Sequence, residues 1–356
     1  MSGEEFAGTM PVADRLRFDE AALERYLHAQ LPAFVSPLRV EQFRGGQSNP
    51  TFLLTAGDGT QLVLRKKPAG TLLPSAHAID REFRVIRALH GSAVPVARPL
   101  CLCVDEAVIG TMFYVMEYAA GRAFWDPTLP GLSAAERAAL YDEMNRVIVA
   151  LHTLDYAAAG LADYGKPGNY FARQIARWSR QYRASETERI AAMEKLIEWL
   201  PANIPGGDET ALVHGDYRLD NMIFAPHAAR VLAVIDWELS TLGHPLADFS
   251  YHVMLWRVEH GEIRGLRGID HAALGIPTEA EYVAAYCRRT GRAEIEPRVW
   301  EFCMAYNLFR IASIRQGIMK RVLEGTAASR HARESGERAR ATAELAWRQV
   351  EEHLGA

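Results

Sequence analysis

The amino-acid sequence predicts a bilobal α+β protein, with an antiparallel-sheet lobe over residues 1–117 and a mainly helical lobe over residues 118–356. The chain has 356 residues, 49% of them hydrophobic, which is enough for two substantial cores. Short β-prone segments dominate up to Glu117. After the break at residues 118–121, apolar residues recur with a helical period. The change of period places the boundary between the lobes.

The first lobe begins with an amphipathic helix, predicted from Asp19 to Leu31 and ended by Pro32. Short strands follow, two of them joined by the tight-turn sequence Gly57-Asp58-Gly59. The predicted elements after the first helix are strands at Leu38–Phe43, Pro50–Thr55 and Gln61–Arg65, a helix at Ser75–His90, and strands at Leu100–Val104 and Thr111–Glu117.

The second lobe is predicted to be helical except around two apolar strand-like runs, Leu212–Val213 and Val231–Ile235. The periodicity predicts helices at Ala134–Leu151, Tyr170–Arg183 and Glu186–Leu200, and an almost wholly helical last third from Thr278.

Composition narrows the classes of function. There are 40 Lys and Arg against 44 Asp and Glu, a formal net charge of −4, which does not favour binding to a polyanion such as nucleic acid. The four cysteines lack the spacing of a zinc site. The first residues lack an apolar signal segment, and no apolar run approaches the roughly 18 residues of a membrane span. We therefore expect a cytoplasmic protein that binds neither nucleic acid nor membrane.

Three polar residues follow the two strand-like runs of the second lobe. Asn221 lies five positions after Asp216, and Asp236 lies 15 positions after Asn221. This is the Asp-x-x-x-x-Asn spacing of a phosphoryl-transfer loop, followed by a second carboxylate. An Asp can accept the proton of an acceptor hydroxyl, while an Asn amide oxygen and a carboxylate are hard ligands suited to Mg²⁺. Turn-forming Asp and Asn residues are the simpler explanation, but one mechanism accounts for all three positions.

The motifs His214-Gly215-Asp216-x-x-x-x-Asn221 and Ile235-Asp236-Trp237-Glu238 resemble those of the aminoglycoside phosphotransferase-like, or small-molecule kinase-like, family. Most of the chain takes part in the resemblance, which is greatest to the kinase-like domain found fused to acyl-CoA dehydrogenases. The resemblance implies a protein-kinase-like bilobal fold and an ATP- and Mg²⁺-dependent transfer of phosphate to a hydroxyl of a small molecule. No flavin or dehydrogenase domain is evident in the sequence.

The resemblance also implies the roles of particular residues. Asp216 is the expected catalytic base, Arg218 joins it in the catalytic set, and Asn221 and Asp236 are the expected Mg²⁺ ligands. His214 and Asp248 are expected to support the loop. The expected nucleotide-binding residues are Gly45, Gly46, Gln47, Ser48, Asn49, Arg65, Glu82, Glu117 and Tyr118, of which the last two would meet adenine through their backbone.

In one respect the chain departs from the family. Arg65 stands where the third strand usually carries a lysine, with Lys66 next to it. Alternate strand residues point to opposite faces, so only one of the two can face a nucleotide, and we predict that Arg65 does so, paired with Glu82. A catalytically weak nucleotide-binding pseudokinase or regulator is therefore the alternative function, although a retained Asp216 favours catalysis.

The acceptor is predicted to be anionic, with a hydroxy acid or its hydroxyacyl-CoA thioester as the leading candidate. Residues 166–183 carry five basic residues and no acid. Within them Arg173, Arg177 and Arg180 share one helical face near Trp178. Arg173, Arg177 and Trp178 are the candidate acceptor-binding residues, and a merely solvated basic face is the alternative. The resemblance to the acyl-CoA dehydrogenase-fused branch points to hydroxyacyl substrates, whereas an aminoglycoside-type acceptor would need a carboxylate-rich cleft. The sequence leaves the oligomeric state open.

Overall fold

The computed structural model describes residues 8–44, 49–68, 78–260, 265–327 and 331–355. Within them the chain forms the predicted bilobal α+β fold, an antiparallel sheet followed by a mainly helical region. None of the helices in these segments is both long and apolar enough to cross a lipid bilayer.

Six strands form the sheet of the first lobe, in the order β1-β2-β3-β4-β6-β5, and every neighbouring pair is antiparallel. The predicted strands are confirmed within one or two residues. Their bounds are Arg39–Phe43 (β2), Thr51–Thr55 (β3), Gln61–Lys66 (β4), Pro99–Cys103 (β5) and Phe113–Glu117 (β6). The short edge strand Thr9–Met10 (β1) was not predicted.

Two helices cover this sheet: Glu20–Gln30 (α1), whose N-cap Asp19 accepts a hydrogen bond from Ala22, and Ile79–Leu89 (α2). The period-2 alternation of β4 divides the side chains between two environments. Leu62 and Leu64 join the core beneath α1, whereas Val63 and Arg65 face a cleft toward the helical lobe.

The helical lobe contains nine helices within the described segments and two pairs of short strands. The helices are Ala134–His152 (α3), Tyr170–Ala184 (α4), Ala191–Ala202 (α5), Pro245–Val253 (α6), His271–Leu274 (α7), Glu279–Thr290 (α8), Pro297–Leu323 (α9), Ala332–Glu337 (α10) and Ala339–Leu354 (α11). The strands are Ala211–Val213 (β7), Met222–Phe224 (β8), Val231–Val234 (β9) and Thr241–Gly243 (β10), with β7 paired to β10 and β8 to β9.

One helix begins later than predicted. The sequence predicts a helix from Glu186, but α5 begins at Ala191. Ile190 is fully buried and its backbone N–H donates to the Tyr182 hydroxyl, 3.3 Å away. A tertiary contact at the end of α4 therefore decides where α5 begins, which local periodicity cannot show.

Candidate active site

The loop after β7 carries Asp216, and its backbone is held from beneath by a buried carboxylate. The two oxygens of Asp248 accept hydrogen bonds from the backbone N–H groups of His214 and Gly215, each at 2.8 Å. Gly215 has φ +82°, and a Cβ atom there would lie 2.7 Å from the Leu239 carbonyl oxygen. Glycine at this position and the fully buried Asp248 therefore fix the direction in which Asp216 leaves the loop.

His214 connects this loop to the second one, which carries Asp236. Its Nε2 is 3.0 Å from the Ile235 carbonyl oxygen and its Nδ1 is 3.2 Å from the backbone nitrogen of Asp216. A carbonyl can only accept and an amide N–H can only donate, so these contacts assign the neutral imidazole with its proton on Nε2. The prediction that His214 and Asp248 support the loop is confirmed by these contacts.

The carboxylate of Asp216 is oriented by three neighbouring side chains. Asn221 Nδ2 donates to Asp216 Oδ2 at 3.0 Å, and the Tyr251 hydroxyl donates to Oδ1 at 2.5 Å. Arg218 Nε lies 3.3 Å from Oδ1, and its Nη2 pairs with Asp220 at 3.1 Å. The Asp216 side chain remains 17% exposed, so its oxygens can still be approached. Tyr251, on α6, is a neighbour that the sequence analysis did not identify.

Arg65 and Glu82 form a buried ion pair on the sheet-lobe side of the cleft. Arg65 Nε lies 2.9 Å from Glu82 Oε2, as predicted, and Arg65 Nη2 lies 2.6 Å from Asp236 Oδ1. Burial raises the pKa of Glu82 to about 7, although Arg65 opposes the shift. One guanidinium thus links α2, β4 and the loop after β9.

Lys66 points to the other face of the sheet, which confirms the predicted alternation. Its Nζ donates to the Leu16 carbonyl oxygen at 3.1 Å and lies over the rings of Phe18 and Phe52. Burial lowers the pKa of Lys66. Lys66 is therefore remote from the cleft that Arg65 faces.

The cleft between the lobes has a volume of about 630 Å³. Several of the candidate nucleotide-binding and metal-binding residues line it: Arg65, Glu82, Glu117, Tyr118, Asn221 and Asp236. The backbone N–H groups of Glu117 and Tyr118 donate to the carbonyl oxygens of Arg98 and Gln61, at 2.9 and 3.4 Å. Gly45, Gly46, Gln47 and Ser48 lie outside the described residues. Asn49 is buried, and its Nδ2 donates to Glu238 at 3.3 Å.

Two candidate metal ligands come together at this cleft. The backbone N–H of Ile235 donates to the Asn221 carbonyl oxygen at 2.9 Å, which brings the Asp236 loop against Asn221. Because Asn221 uses its Nδ2 on Asp216, its amide oxygen can serve as an acceptor or a ligand. Among the described residues, no group of three or more His, Cys, Asp or Glu side chains could hold a metal. An amide and one carboxylate fit Mg²⁺ that is shared with phosphate oxygens.

Helix α4 separates the three candidate acceptor-binding residues. Arg173 donates to the backbone carbonyl oxygens of Lys166, at 2.6 Å, and Gly168, so it holds the preceding loop. Arg177 is exposed, with its guanidinium carbon 5.4 Å from the centre of the Trp178 ring. Trp178 is buried, and its ring also lies 5.6 Å from the guanidinium carbon of Arg310 of α9, so it contacts one exposed and one buried arginine.

Arg310 is a second residue that the sequence analysis missed. It is 6% exposed, and its Nη2 donates to the Gly215 carbonyl oxygen at 2.6 Å. A signal was present in the sequence, because Arg310 is a lone basic residue within an apolar helical stretch, residues 302–312. Burial of a charged side chain is energetically costly and therefore uncommon, so a buried arginine at such a position suggests a specific interaction. No comparable signal marks Tyr251, one of many aromatic residues on the helices.

Comparisons with known proteins were informative for both family and fold. The model of the phosphotransferase enzyme family matches residues 39–305. Acyl-CoA dehydrogenase family member 10 of Mus musculus is 49% identical over 342 residues, covering 95% of this chain and 32% of that protein. Acyl-CoA dehydrogenase family member 11 of Homo sapiens is 44% identical over 318 residues, covering 88% of this chain and 40% of that protein. The chain thus spans less than half the length of these relatives.

Solved structures share the same fold. A crystal structure from Ralstonia eutropha, described as a candidate aminoglycoside phosphotransferase, has a TM-score of 0.87 and 56% identity, covering 94% of this chain and 99% of that one. A thermostable aminoglycoside phosphotransferase in complex with ADP and hygromycin B has a TM-score of 0.60 and 16% identity, covering 92% of this chain and 98% of that one. At that identity the second likeness concerns the fold alone.

Proposed function

This chain belongs to the phosphotransferase enzyme family, and on that premise we propose that it transfers the γ-phosphate of ATP to a hydroxyl of a small anionic acceptor. One arrangement carries the proposal. Asp216 is held by Asn221 on the helical side, while Asp236 and Arg65 face the cleft of about 630 Å³. A proton acceptor, an amide oxygen and a second carboxylate are the groups that phosphoryl transfer needs in one place.

In the proposed reaction the oxygen of the acceptor hydroxyl attacks the γ-phosphorus and its proton passes to Asp216, while the bond between the γ-phosphorus and the β–γ bridging oxygen breaks and ADP leaves. The bonds to Asn221 and Tyr251 hold the carboxylate in one orientation for this transfer. Arg218 is close enough to Asp216 for its guanidinium to stabilise the negative charge that develops on the phosphoryl oxygens.

Nucleotide binding is assigned to the sheet-lobe side of the cleft. Arg65, kept in place by Glu82, would bind the α- and β-phosphates. Asn221 and Asp236 would hold Mg²⁺, which neutralises phosphate charge when bound. Because the N–H groups of Glu117 and Tyr118 already donate within the lobe, adenine would meet carbonyl oxygens at these two residues. Gly45, Gly46, Gln47, Ser48 and Asn49 stay assigned to the phosphate-covering loop.

The acceptor is proposed to be a hydroxy acid or its CoA thioester. The relatives named as acyl-CoA dehydrogenases support an acyl compound. The exposed guanidinium of Arg177 would repel a polycationic aminoglycoside and attract an anion. Residues 166–183, with their five basic residues and no acid, extend the same charge along α4.

One contact favours the alternative of a weakly active nucleotide-binding protein. Arg65 Nη2 already occupies Asp236 Oδ1 at 2.6 Å, so a metal ion must compete with this guanidinium for the carboxylate. In this alternative the chain would bind nucleotide and transfer phosphate slowly or not at all.

The test measures phosphate transfer from γ-labelled ATP to a panel of hydroxy acids, their CoA thioesters, aminoglycosides and choline-like alcohols. Asp216→Asn should lower kcat by about 10²–10⁴ and leave the Kd for Mg²⁺-ATP nearly unchanged, because the base is proposed to contact the acceptor hydroxyl and not the nucleotide. Asp236→Ala should weaken Mg²⁺-ATP binding as well. Glu106→Gln, which removes one exposed carboxylate far from the cleft, serves as the charge-matched control.

The outcomes separate the alternatives. Full turnover in Asp216→Asn would contradict the assigned base. Wild-type protein that binds Mg²⁺-ATP but transfers phosphate to none of the panel would favour the pseudokinase. Phosphate transfer to aminoglycosides but not to the hydroxy acids would contradict the proposed acceptor class. The roles assigned to Asp216, Asn221 and Asp236 would not be affected.

A further inference from the structure

Arg310 is a buried cation that carries no ion pair with any carboxylate in the described part of the chain. Its Nη2 donates to the Gly215 carbonyl oxygen, but its Nε is buried without a hydrogen-bond partner. A buried charge without a counter-charge costs several kcal/mol, because the protein interior solvates it poorly. Such a residue is retained when it acts on a ligand or on a neighbouring group.

Two aromatic rings flank the guanidinium and partly compensate its charge. The centre of the Tyr251 ring lies 4.7 Å from the guanidinium carbon, and the centre of the Trp178 ring lies 5.6 Å away. Cation–π contacts stabilise a cation through its flat faces and leave the N–H groups of its edge free. The unpartnered Nε–H belongs to that edge, so a planar anion could still pair with it.

Two more buried donors stand beside Arg310. Trp178 Nε1 and the Tyr306 hydroxyl are both buried, and neither completes a hydrogen bond within the described residues. The Tyr306 hydroxyl lies near Trp178 Nε1 and the Tyr170 hydroxyl without the geometry of a completed hydrogen bond, and it is close enough to Arg310 to interact with its charge. Helices α4 and α9 thus bring three buried N–H or O–H donors together around one positive charge, an arrangement that matches the oxygens of an anion.

The cluster lies directly behind the candidate base. Arg310 holds the carbonyl oxygen of the residue before Asp216, and Tyr251 touches both Arg310 and Asp216. We infer that Arg310, Trp178 and Tyr306 form the subsite that binds an anionic group of the acceptor, a carboxylate or a phosphate. This inference rests on the proposed function, since it names the groups that recognise the acceptor at the same site.

The kinetic test compares acceptors that share a hydroxyacyl group and carry different charges: hydroxybutyrate and hydroxyvalerate isomers, their CoA thioesters, and their N-acetylcysteamine thioesters. Arg310→Met should raise KM for the anionic acceptor by about tenfold or more, because a charge-assisted hydrogen bond is lost, and should change KM for the neutral N-acetylcysteamine thioester much less. An effect on the free acid identifies a carboxylate, and an effect on the CoA thioester alone identifies a phosphate.

Two further variants separate recognition from structure. Arg310→Lys keeps the charge and should recover part of the affinity. Trp178→Phe keeps a ring and removes one donor, so it should raise KM by a smaller factor even if Arg310→Met folds poorly. Arg298→Met removes an exposed charge from α9, the helix that carries Arg310, and should leave KM unchanged. Equal losses for charged and neutral acceptors would overturn the inference and leave Arg310 as a support for the Gly215 loop.

A binding measurement keeps this inference separate from the proposed function. Calorimetric titration of the wild-type chain with the same hydroxy acids and CoA thioesters, with and without a non-hydrolysable ATP analogue, needs no turnover. Binding that Arg310→Met abolishes supports the subsite even where no phosphate is transferred. Absence of binding by the wild type in both conditions overturns the subsite, while transfer to an uncharged alcohol would leave the phosphotransferase proposal standing.

Discussion

Each lobe contains a buried arginine next to the proposed active site, Arg65 on the nucleotide side and Arg310 on the acceptor side. The two differ in the charged groups around them. Arg65 is 8% exposed and contacts Glu82 and Asp236 at 2.9 and 2.6 Å. Arg310 is 6% exposed and is surrounded by aromatic rings and a backbone carbonyl oxygen. The protein therefore pairs the first cation directly with its own acids, whereas in the described part of the chain the second has no carboxylate in direct contact.

The difference concerns what each side must bind. Magnesium and ATP carry opposite charges, so a cation that acids already hold in position can orient phosphates without adding much net charge. An anionic acceptor brings no cation of its own, and the protein must supply one. Arg65, which is paired with acids, thus suits the side of the site that binds nucleotide. Arg310, which has no direct ion pair within the described segments, suits the side that binds an anionic acceptor.

The largest effect is expected from removing the acid that neutralises Arg65. Glu82→Ala leaves Arg65 buried with only its contacts to the Asp236 loop, so the free energy of unfolding should fall by roughly 3–5 kcal/mol, as for other broken buried pairs. Urea denaturation of the two proteins measures this change. Nucleotide affinity should fall with it, because Arg65 loses its orientation.

Two controls accompany this variant. Glu82→Gln keeps an oxygen that can accept from Arg65 Nε and should cost less. Lys66→Met alters the neighbouring cation on the other face and should cost only about 1 kcal/mol, since it removes one hydrogen bond and keeps the packing. If Lys66→Met costs as much as Glu82→Ala, the assigned contrast between the two faces is wrong.

Lowering the pH should reduce the stability of the helical lobe more than that of the sheet lobe. Burial lowers the pKa of both His244 and His252 to about 4, from an ordinary value of 6.5. The folded state therefore binds fewer protons than the unfolded state in this interval, so this stability is complete above about pH 6.5 and is lost as pH falls toward 4. The loss should be roughly 1 kcal/mol between about pH 7 and pH 6 for the two residues together.

Hydrogen exchange followed in each lobe measures the effect of acid. His28 and His90, in the described part of the sheet lobe, are exposed. His252→Gln keeps an amide that can hydrogen-bond to the Tyr282 hydroxyl, which lies 2.8 Å from His252 Nε2, and removes the titration, so it should flatten the pH profile. Equal acid sensitivity of the two lobes, or an unchanged profile in His252→Gln, would show that these histidines are not responsible.

The smallest effect is expected at the surface of α4. Arg177→Ala should raise KM for an anionic acceptor by only about two- to threefold, because solvent screens an exposed charge, and added salt should remove the difference. Steady-state kinetics at low and high salt measure this, with Arg298→Ala, which removes an exposed charge from α9, as the control. An unchanged KM at low salt would show that Arg177 is only a solvated surface residue. A rise as large as that in Arg310→Met would contradict the proposed difference between buried and exposed arginines.

Much of the fold and part of the site follow from local rules. The period of the apolar residues predicted five of the six strands of the sheet, most helices and the change of structure after Glu117. The alternation in β4 predicted that Arg65 would face Glu82 and that Lys66 would not. The five-residue spacing brought Asn221 against Asp216, because the intervening turn is short. In each case the covalent geometry of a few neighbouring residues sets the outcome.

Only the tertiary structure decided what surrounds Asp216 on the helical side. Tyr251 and Arg310 lie 35 and 95 positions from the residues that they contact. Trp178 was selected from the sequence for its basic helix and does lie near Arg177, but packing also brings its ring against Arg310, which the sequence does not show. Local periodicity places a residue on a face of its helix, but the approach of α4, α6 and α9 to one loop depends on how their buried side chains fit together. The sequence by itself therefore determined the candidate base and its metal-binding neighbours, and the packing of three helices determined the buried cation behind them.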